Sequence, residues 1–144
     1  ISKIFNNFKK SWSRYKLKKR KNIITVAIDS PAAAGAGTQA KLIAKHYNLL
    51  HLDTGLIYRL IGKIKLENPK KFNYFVIKKK IKNLKIKDLK KKTLLSEKVA
   101  ISASIVAKDK KIRSIVHQFQ QEYAYSPPLK YAGSVLDGRD IITI

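Results

Sequence analysis

Between residues 22 and 66 the apolar positions change their period repeatedly, and each change predicts an element. Asn22–Ile28 (NIITVAI) is a short, nearly unbroken apolar run rich in β-branched residues, which predicts a buried strand. Asp29–Gly37 (DSPAAAGAG) is a run of small residues and predicts a tight loop. Thr38–Tyr47 sets Leu42, Ile43 and His46 or Tyr47 on one side of a helix. Leu49–Leu52 is a second apolar run, ending at Asp53. Thr54 is the expected cap of a helix from about Gly55 to Leu66, which carries Leu56, Ile57, Leu60, Ile61 and Ile64. Strand, loop, helix, strand, helix is the order of a parallel α/β sheet flanked by helices.

The pattern then weakens. Pro69 interrupts the helix, and the Lys-rich stretch 70–92 predicts a short helix at Phe72–Ile81 followed by a loop. Leu94–Ala107 and Lys110–Tyr123 both have helical spacing, with a break at Lys108–Asp109. Ser126-Pro127-Pro128 is a loop, and Gly133–Leu136 is a third apolar strand that again ends in an acid, Asp137. In open α/β sheets ligands bind at the carboxyl ends of strands. Asp29–Gly37, Asp53–Thr54 and Asp137–Arg139 would therefore share one crevice.

Composition narrows the function classes. The 144 residues suffice for one domain, and 44% are apolar, enough for a core. No apolar run approaches the roughly 20 residues of a membrane span. There is no cysteine, which excludes disulfides, thiolate metal sites and a cysteine nucleophile. The net charge is +23 from 32 basic and nine acidic residues, but 27 of the basic residues are Lys and five are Arg. Residues 1–21 carry nine basic residues and no acid, with Ile4, Phe5, Phe8, Trp12 and Tyr15 at helical spacing. Residues 70–92 carry eleven Lys against Asp88 alone. These two segments are where a nucleic acid would bind, although a Lys-heavy composition also arises from composition drift and a charged run is ordinarily a solvated face. Residues 1–21 lack the continuous apolar core of a secretory signal and are read as a basic extension.

The loop at Ser30–Thr38 carries the chemistry. A phosphate cradle needs small residues, so that backbone N–H groups can face the anion, and a helix starting there. Ser30, Ala32, Ala33, Ala34, Gly35, Ala36, Gly37 and Thr38 meet both needs. The loop departs from G-x-x-x-x-G-K-[ST], with Ser30 at the first Gly and Ala36 where the Lys belongs.

Four blocks in order carry a resemblance. AIDSPAAAGAGT, then Leu52-Asp53-Thr54-Gly55-Leu56-Ile57-Tyr58-Arg59, then Glu97–Ser104 with Arg113 beyond it, then Leu136-Asp137-Gly138-Arg139-Asp140-Ile141 resemble the bacterial cytidylate kinases. These are phosphate-loop nucleoside monophosphate kinases. The resemblance covers residues 22–144 and implies an α/β domain of that kind, with an acceptor-binding insertion at about 60–108. It implies transfer of the ATP γ-phosphoryl group to CMP or dCMP, with Mg²⁺ as cofactor and a cytoplasmic setting. Ser30 and Ala32–Thr38 would hold ATP; Thr38 and Asp137 would hold the metal. Thr54, Tyr58, Arg59, Ser104, Arg113, Arg139 and Asp140 would hold CMP, and Asp137 and Arg139 are the catalytic candidates. Three of the five Arg residues fall in these blocks, where a planar fork suits bidentate phosphate contacts. His46, His51 and His117 are expected on helix surfaces or in packing, since phosphoryl transfer needs no catalytic histidine.

The match has two departures. Ala36 removes an ammonium that would follow the transferring group, with Lys41, one turn beyond Thr38, among the replacements to consider. Family members also continue through further strands and an arginine-bearing lid, so the chain is expected to be C-terminally incomplete, leaving three strands and an uncovered apolar edge. The alternatives to the kinase are a nucleotide-binding relative without transferase activity and a basic nucleic-acid-binding protein. The sequence gives no basis for an oligomeric state.

Overall fold

The computed structural model describes residues 22–31, 34–138 and 141. Three parallel strands form the sheet: β1 (Ile24–Asp29), β2 (Leu49–Asp53) and β3 (Gly133–Gly138). Their order is β1-β3-β2, so the last strand lies between the first two. Val26 pairs with Val135 and Ile28 with Asp137 on one side, while His51 pairs with Val135 and Asp53 with Asp137 on the other. β3 is buried from Gly133 to Asp137. That is the burial expected of a central parallel strand covered on both faces.

Successive strand residues face opposite sides, and the two faces have separate cores. Helix α1 (Ala36–Tyr47) covers one face, where Ala40 and Ala44 lie against Leu49 and Val135. Leu52 and Leu136 face the other way, into the larger core. Around it lie α2 (Thr54–Glu67), α3 (Tyr74–Lys82), α4 (Ile86–Leu89), α5 (Glu97–Val106) and α6 (Lys110–Tyr125). In α6 the buried Ile112, Val116, Phe119 and Ala124 form the stripe that packs inward.

The α2–α5 contact is very close. Ser102 Oγ donates to the Gly62 carbonyl at 2.9 Å. A Cβ on Gly62 would lie 2.7 Å from the Ala103 nitrogen.

Three expectations need correction, each for a local reason. The stretch 70–92 is more ordered than a short helix and a loop. Asn73 Oδ1 accepts from Val76 N at 3.0 Å and starts α3, and α4 and a 3₁₀ turn (Lys92–Leu95) follow. The helix expected over 94–107 is split at Ser96, whose extended backbone and side-chain bond to Val99 N start α5 afresh. Thr54 does not cap α2. Asp53 does, accepting from Leu56 N at 3.3 Å, and Thr54 is the first helical residue.

The uncovered apolar edge has a counterpart in β1. The strand expected to be buried is instead exposed or half-buried throughout, with Ile24 43% exposed, because among the described residues only β3 pairs with it. No helix among the described residues is long and apolar enough to cross a membrane. The basic extension 1–21 lies outside the described residues. In the second basic segment Lys79, Lys80, Lys82 and Lys85 are exposed, as a solvated face would be.

Candidate active site

The three strands end side by side, with Asp29 in register with Gly138 and Asp53 with Asp137. β1 runs into Ser30 and the small-residue loop, β2 ends at Asp53, and β3 ends at Asp137 and Gly138. The loop passes through a left-handed Gly35 (φ 81°) and enters α1. Thr38 N and Gln39 N donate back to the Gly35 carbonyl at 3.0 and 3.1 Å. Gly35 offers no side-chain cap to α1. The amides of Ala36 and Gly37 thus start a helix whose positive end opens at the strand ends. Ala34, Gly35 and Thr38 are exposed there, and Ser30 is half-buried with its hydroxyl on the Pro31 carbonyl at 3.2 Å.

Asp137 lies where the strand ends meet the first turn of α1 and is 6% exposed. Its Oδ2 lies 3.4 Å from where a Cβ on Gly37 would stand, so the acid faces the first turn of α1. Its Oδ1 meets His51 Nε2 at 2.6 Å. Its carbonyl accepts from the buried Thr54 Oγ1 at 2.8 Å, which ties the start of α2 to the end of β3. Gly138 follows because a Cβ there would overlap Thr54 Oγ1.

Asp53 and Asp137 are register partners, and so share a sheet face. Burial pushes the Asp53 carboxyl above its ordinary 3.8, and the Asp137 charge beside it adds to the shift. The Leu56 and Gly55 amides and His51 oppose it. Two acids thus crowd one desolvated corner beside a helix N-terminus, a place where counter-charge is welcome.

His51 corrects an expectation. It lies on β2, not on a helix surface, and it bonds a site residue instead of packing against the core. His46 is exposed on α1 with its ring edge-on to Tyr47, and His117 lies half-buried on α6.

The remaining expected residues are more dispersed. Tyr58 and Arg59 are half-buried on α2, and Arg59 Nη1 donates to the Leu94 carbonyl at 3.0 Å. Ser104 is exposed on α5 with its hydroxyl turned back to the Ile101 carbonyl at 2.7 Å. Arg113 lines an open groove of about 560 Å³ along α6 with Lys108, Lys110, Ser114, His117 and Gln118. Lys41 is exposed on α1. Ala32, Ala33, Arg139 and Asp140 lie outside the described residues. The structure therefore gathers Gly37, Thr54 and Asp137, adds Asp53 and His51, and sets Arg59, Ser104 and Arg113 on the flanking helices.

Among the described residues no three His, Asp or Glu side chains cluster to hold a metal ion. Magnesium needs no such cage; it keeps waters and takes one or two protein ligands beside phosphate oxygens. Asp137 Oδ2, aimed at the first turn of α1, and the exposed Thr38 in that turn are hard-oxygen donors of the right kind.

A parallel sheet in which a small-residue loop leads from one strand into a helix, with an acid ending the neighbouring strand, is the architecture of the phosphate-loop nucleotide kinases. The family model for cytidylate kinase matches residues 26–144, and the chain belongs to that family. It is 41% identical over 120 residues to a cytidylate kinase of Rhodopseudomonas palustris (strain BisA53), covering 83% of this chain and 55% of that protein. A cytidylate kinase of Xanthobacter autotrophicus is 36% identical over 121 residues, or 84% of this chain and 56% of its own. One from Cereibacter sphaeroides is 38% identical over 120 residues, with 83% and 53% covered. The chain spans about half the length of the curated relatives it matches.

Proposed function

We propose that the protein moves the γ-phosphoryl group of ATP to the 5′-phosphate of CMP or dCMP, giving ADP and CDP or dCDP, in the cytoplasm. The observation that carries this reading is Asp137, a buried acid fixed at the end of β3 and facing the first turn of α1. The loop Ser30–Thr38 receives the ATP phosphates on backbone amides. Thr38 and Asp137 would hold Mg²⁺, which when bound would neutralise charge on the phosphates. Arg59 and Arg139 grip the acceptor phosphate as bidentate forks. Thr54 and Tyr58 lie along the acceptor nucleotide, Ser104 and Arg113 also hold that nucleotide, and Asp140 reaches its sugar or base.

Phosphoryl transfer needs in-line positioning and charge stabilisation more than proton chemistry. A rigid β2–β3 corner supplies the positioning, since Thr54 and Asp137 are hydrogen-bonded to each other. Ala36 favours one second reading: a loop of amides without the ammonium binds nucleotide but transfers phosphate poorly.

A coupled assay with ATP against CMP, dCMP, UMP and AMP, beside equilibrium binding of each, separates the two. Turnover of CMP and dCMP above UMP and AMP supports the kinase. Saturable CMP binding with no turnover leaves the binding relative. Absence of both contradicts each.

A further inference from the structure

We propose that His51 is a positioning residue: its Nε2–H takes Oδ1 of Asp137, fixes the carboxylate rotamer and presents Oδ2 to the first turn of α1. The consequence for metal-nucleotide binding rests on the kinase reading above; the hydrogen bond itself does not.

The pairing of β2 with β3 sets up the contact. His51 is the register partner of Val135, so Asp137 is its diagonal neighbour two residues on, on the same face. His51 Nε2 and Asp137 Oδ1 are 2.6 Å apart, with the side chains 20% and 9% exposed. A carboxylate can only accept, so Nε2 carries the proton in this bond. A short hydrogen bond to a carboxylate in a partly buried corner is of the stronger kind.

The arrangement also fits the surroundings. Asp137 has a second acid as register partner, Asp53, whose carboxyl burial and the Asp137 charge push upward while His51 opposes the shift. The loop contributes no cation of its own at Ala36. Without His51, Oδ1 loses its partner, and the carboxylate is free to turn away from α1. Partners that orient a ligating carboxylate typically change metal affinity by about 10–100-fold when removed. His51 lies one residue before the Leu52–Arg59 block, outside all four blocks.

The test uses the full chain, His51→Leu and His51→Gln, with Mn²⁺·ATP as probe and ATP in EDTA as the metal-free control. Thermal melting without nucleotide checks folding. Leu removes the donor; Gln keeps an N–H that can reach Oδ1. The expected result is a loss of about tenfold or more in Mn²⁺·ATP affinity for His51→Leu, within about threefold of wild type for His51→Gln, and unchanged metal-free ATP binding in both. Wild-type Mn²⁺·ATP affinity in a folded His51→Leu, or equal loss of metal-free ATP binding, overturns the proposal. A Gln variant as weak as the Leu variant also overturns it. The imidazole nitrogen spectrum gives a second readout, independent of the His51 variants. A protected Nε2–H that becomes labile in Asp137→Ala supports the proposal, and an Nδ1–H tautomer contradicts it. If the unaltered chain shows no metal-dependent ATP binding, the kinase reading fails, and the imidazole spectrum alone decides the role of His51.

Discussion

Asp53 and Asp137 meet as register partners at the carboxyl ends of β2 and β3, and their crowding has a thermodynamic consequence. The Asp53 carboxyl sits above its ordinary 3.8 because it is buried and because Asp137 is beside it. As pH rises through the window from 3.8 up to the raised value, the folded chain keeps a proton that the unfolded chain has lost. Fewer protons bound in the unfolded state means that stability falls as pH rises through that window. Asp53→Asn keeps an acceptor for Leu56 N and removes the titration. It should flatten the melting temperature across that window and raise it at neutral pH. An unchanged slope would contradict the assignment. The loop offers a gain-of-function counterpart. Ala36→Lys should raise turnover of CMP, within the range of about 10²–10³ that a charge stabiliser contributes, with little change in CMP affinity. Steady-state kinetics reads both numbers.

Much of this residue-scale picture was legible from spacing. Three strands each ending next to an acid or a small-residue loop pointed to one crevice, and Asp137, Thr54 and Gly37 meet there. His51 was not legible. Its role depends on which residue of β3 lies diagonally across, and that register is set by burial of two whole strands, not by any local signal. Thr54 was misassigned as a cap for a related reason. Its hydroxyl bonds Asp137, 83 residues away, and Asp53 takes the capping role instead.

At the scale of elements, α2 and α5 pack closely, and the contact ties the helix after β2 to the helix that starts at Ser96. Ser102 bonds the Gly62 carbonyl, and no room remains for a side chain at Gly62. Gly62→Ala should lower stability by about 1–3 kcal/mol through forced displacement of α5, despite the better helix propensity of Ala. Denaturant unfolding measures it, and a neutral or stabilising result would contradict the packing. β2, β3 and the long helices α2 and α6 were readable because their apolar stripes face a core, whereas β1, whose apolar run predicts burial, is exposed or half-buried along its length. The shorter pieces between 70 and 96 were not. There the boundaries are set by single capping side chains, Asn73 and Ser96, amid a Lys-rich pattern that carries little periodicity.

Taken whole, the molecule is a small sheet domain with a net charge of +23, much of it in two Lys-rich segments. Exposed like charges repel within about one Debye length, so compactness carries an electrostatic cost that salt relieves. Raising NaCl from about 50 to 300 mM should raise the melting temperature by roughly 4 °C, the equivalent of about 1 kcal/mol for a chain of this size. A fall in melting temperature would mean that attractive ion pairs, not self-repulsion, dominate.

The most direct test of the central claim follows the phosphoryl group itself. The chain is incubated with ATP labelled in its γ-phosphoryl group and with CMP, and the label is traced by chromatography, with Asp137→Asn in parallel. Label is expected in CDP, at a rate about 10²–10³-fold lower in the Asp137→Asn protein. Label that stays in ATP or appears only as inorganic phosphate, or an Asp137→Asn protein that forms CDP at the unaltered rate, would contradict it.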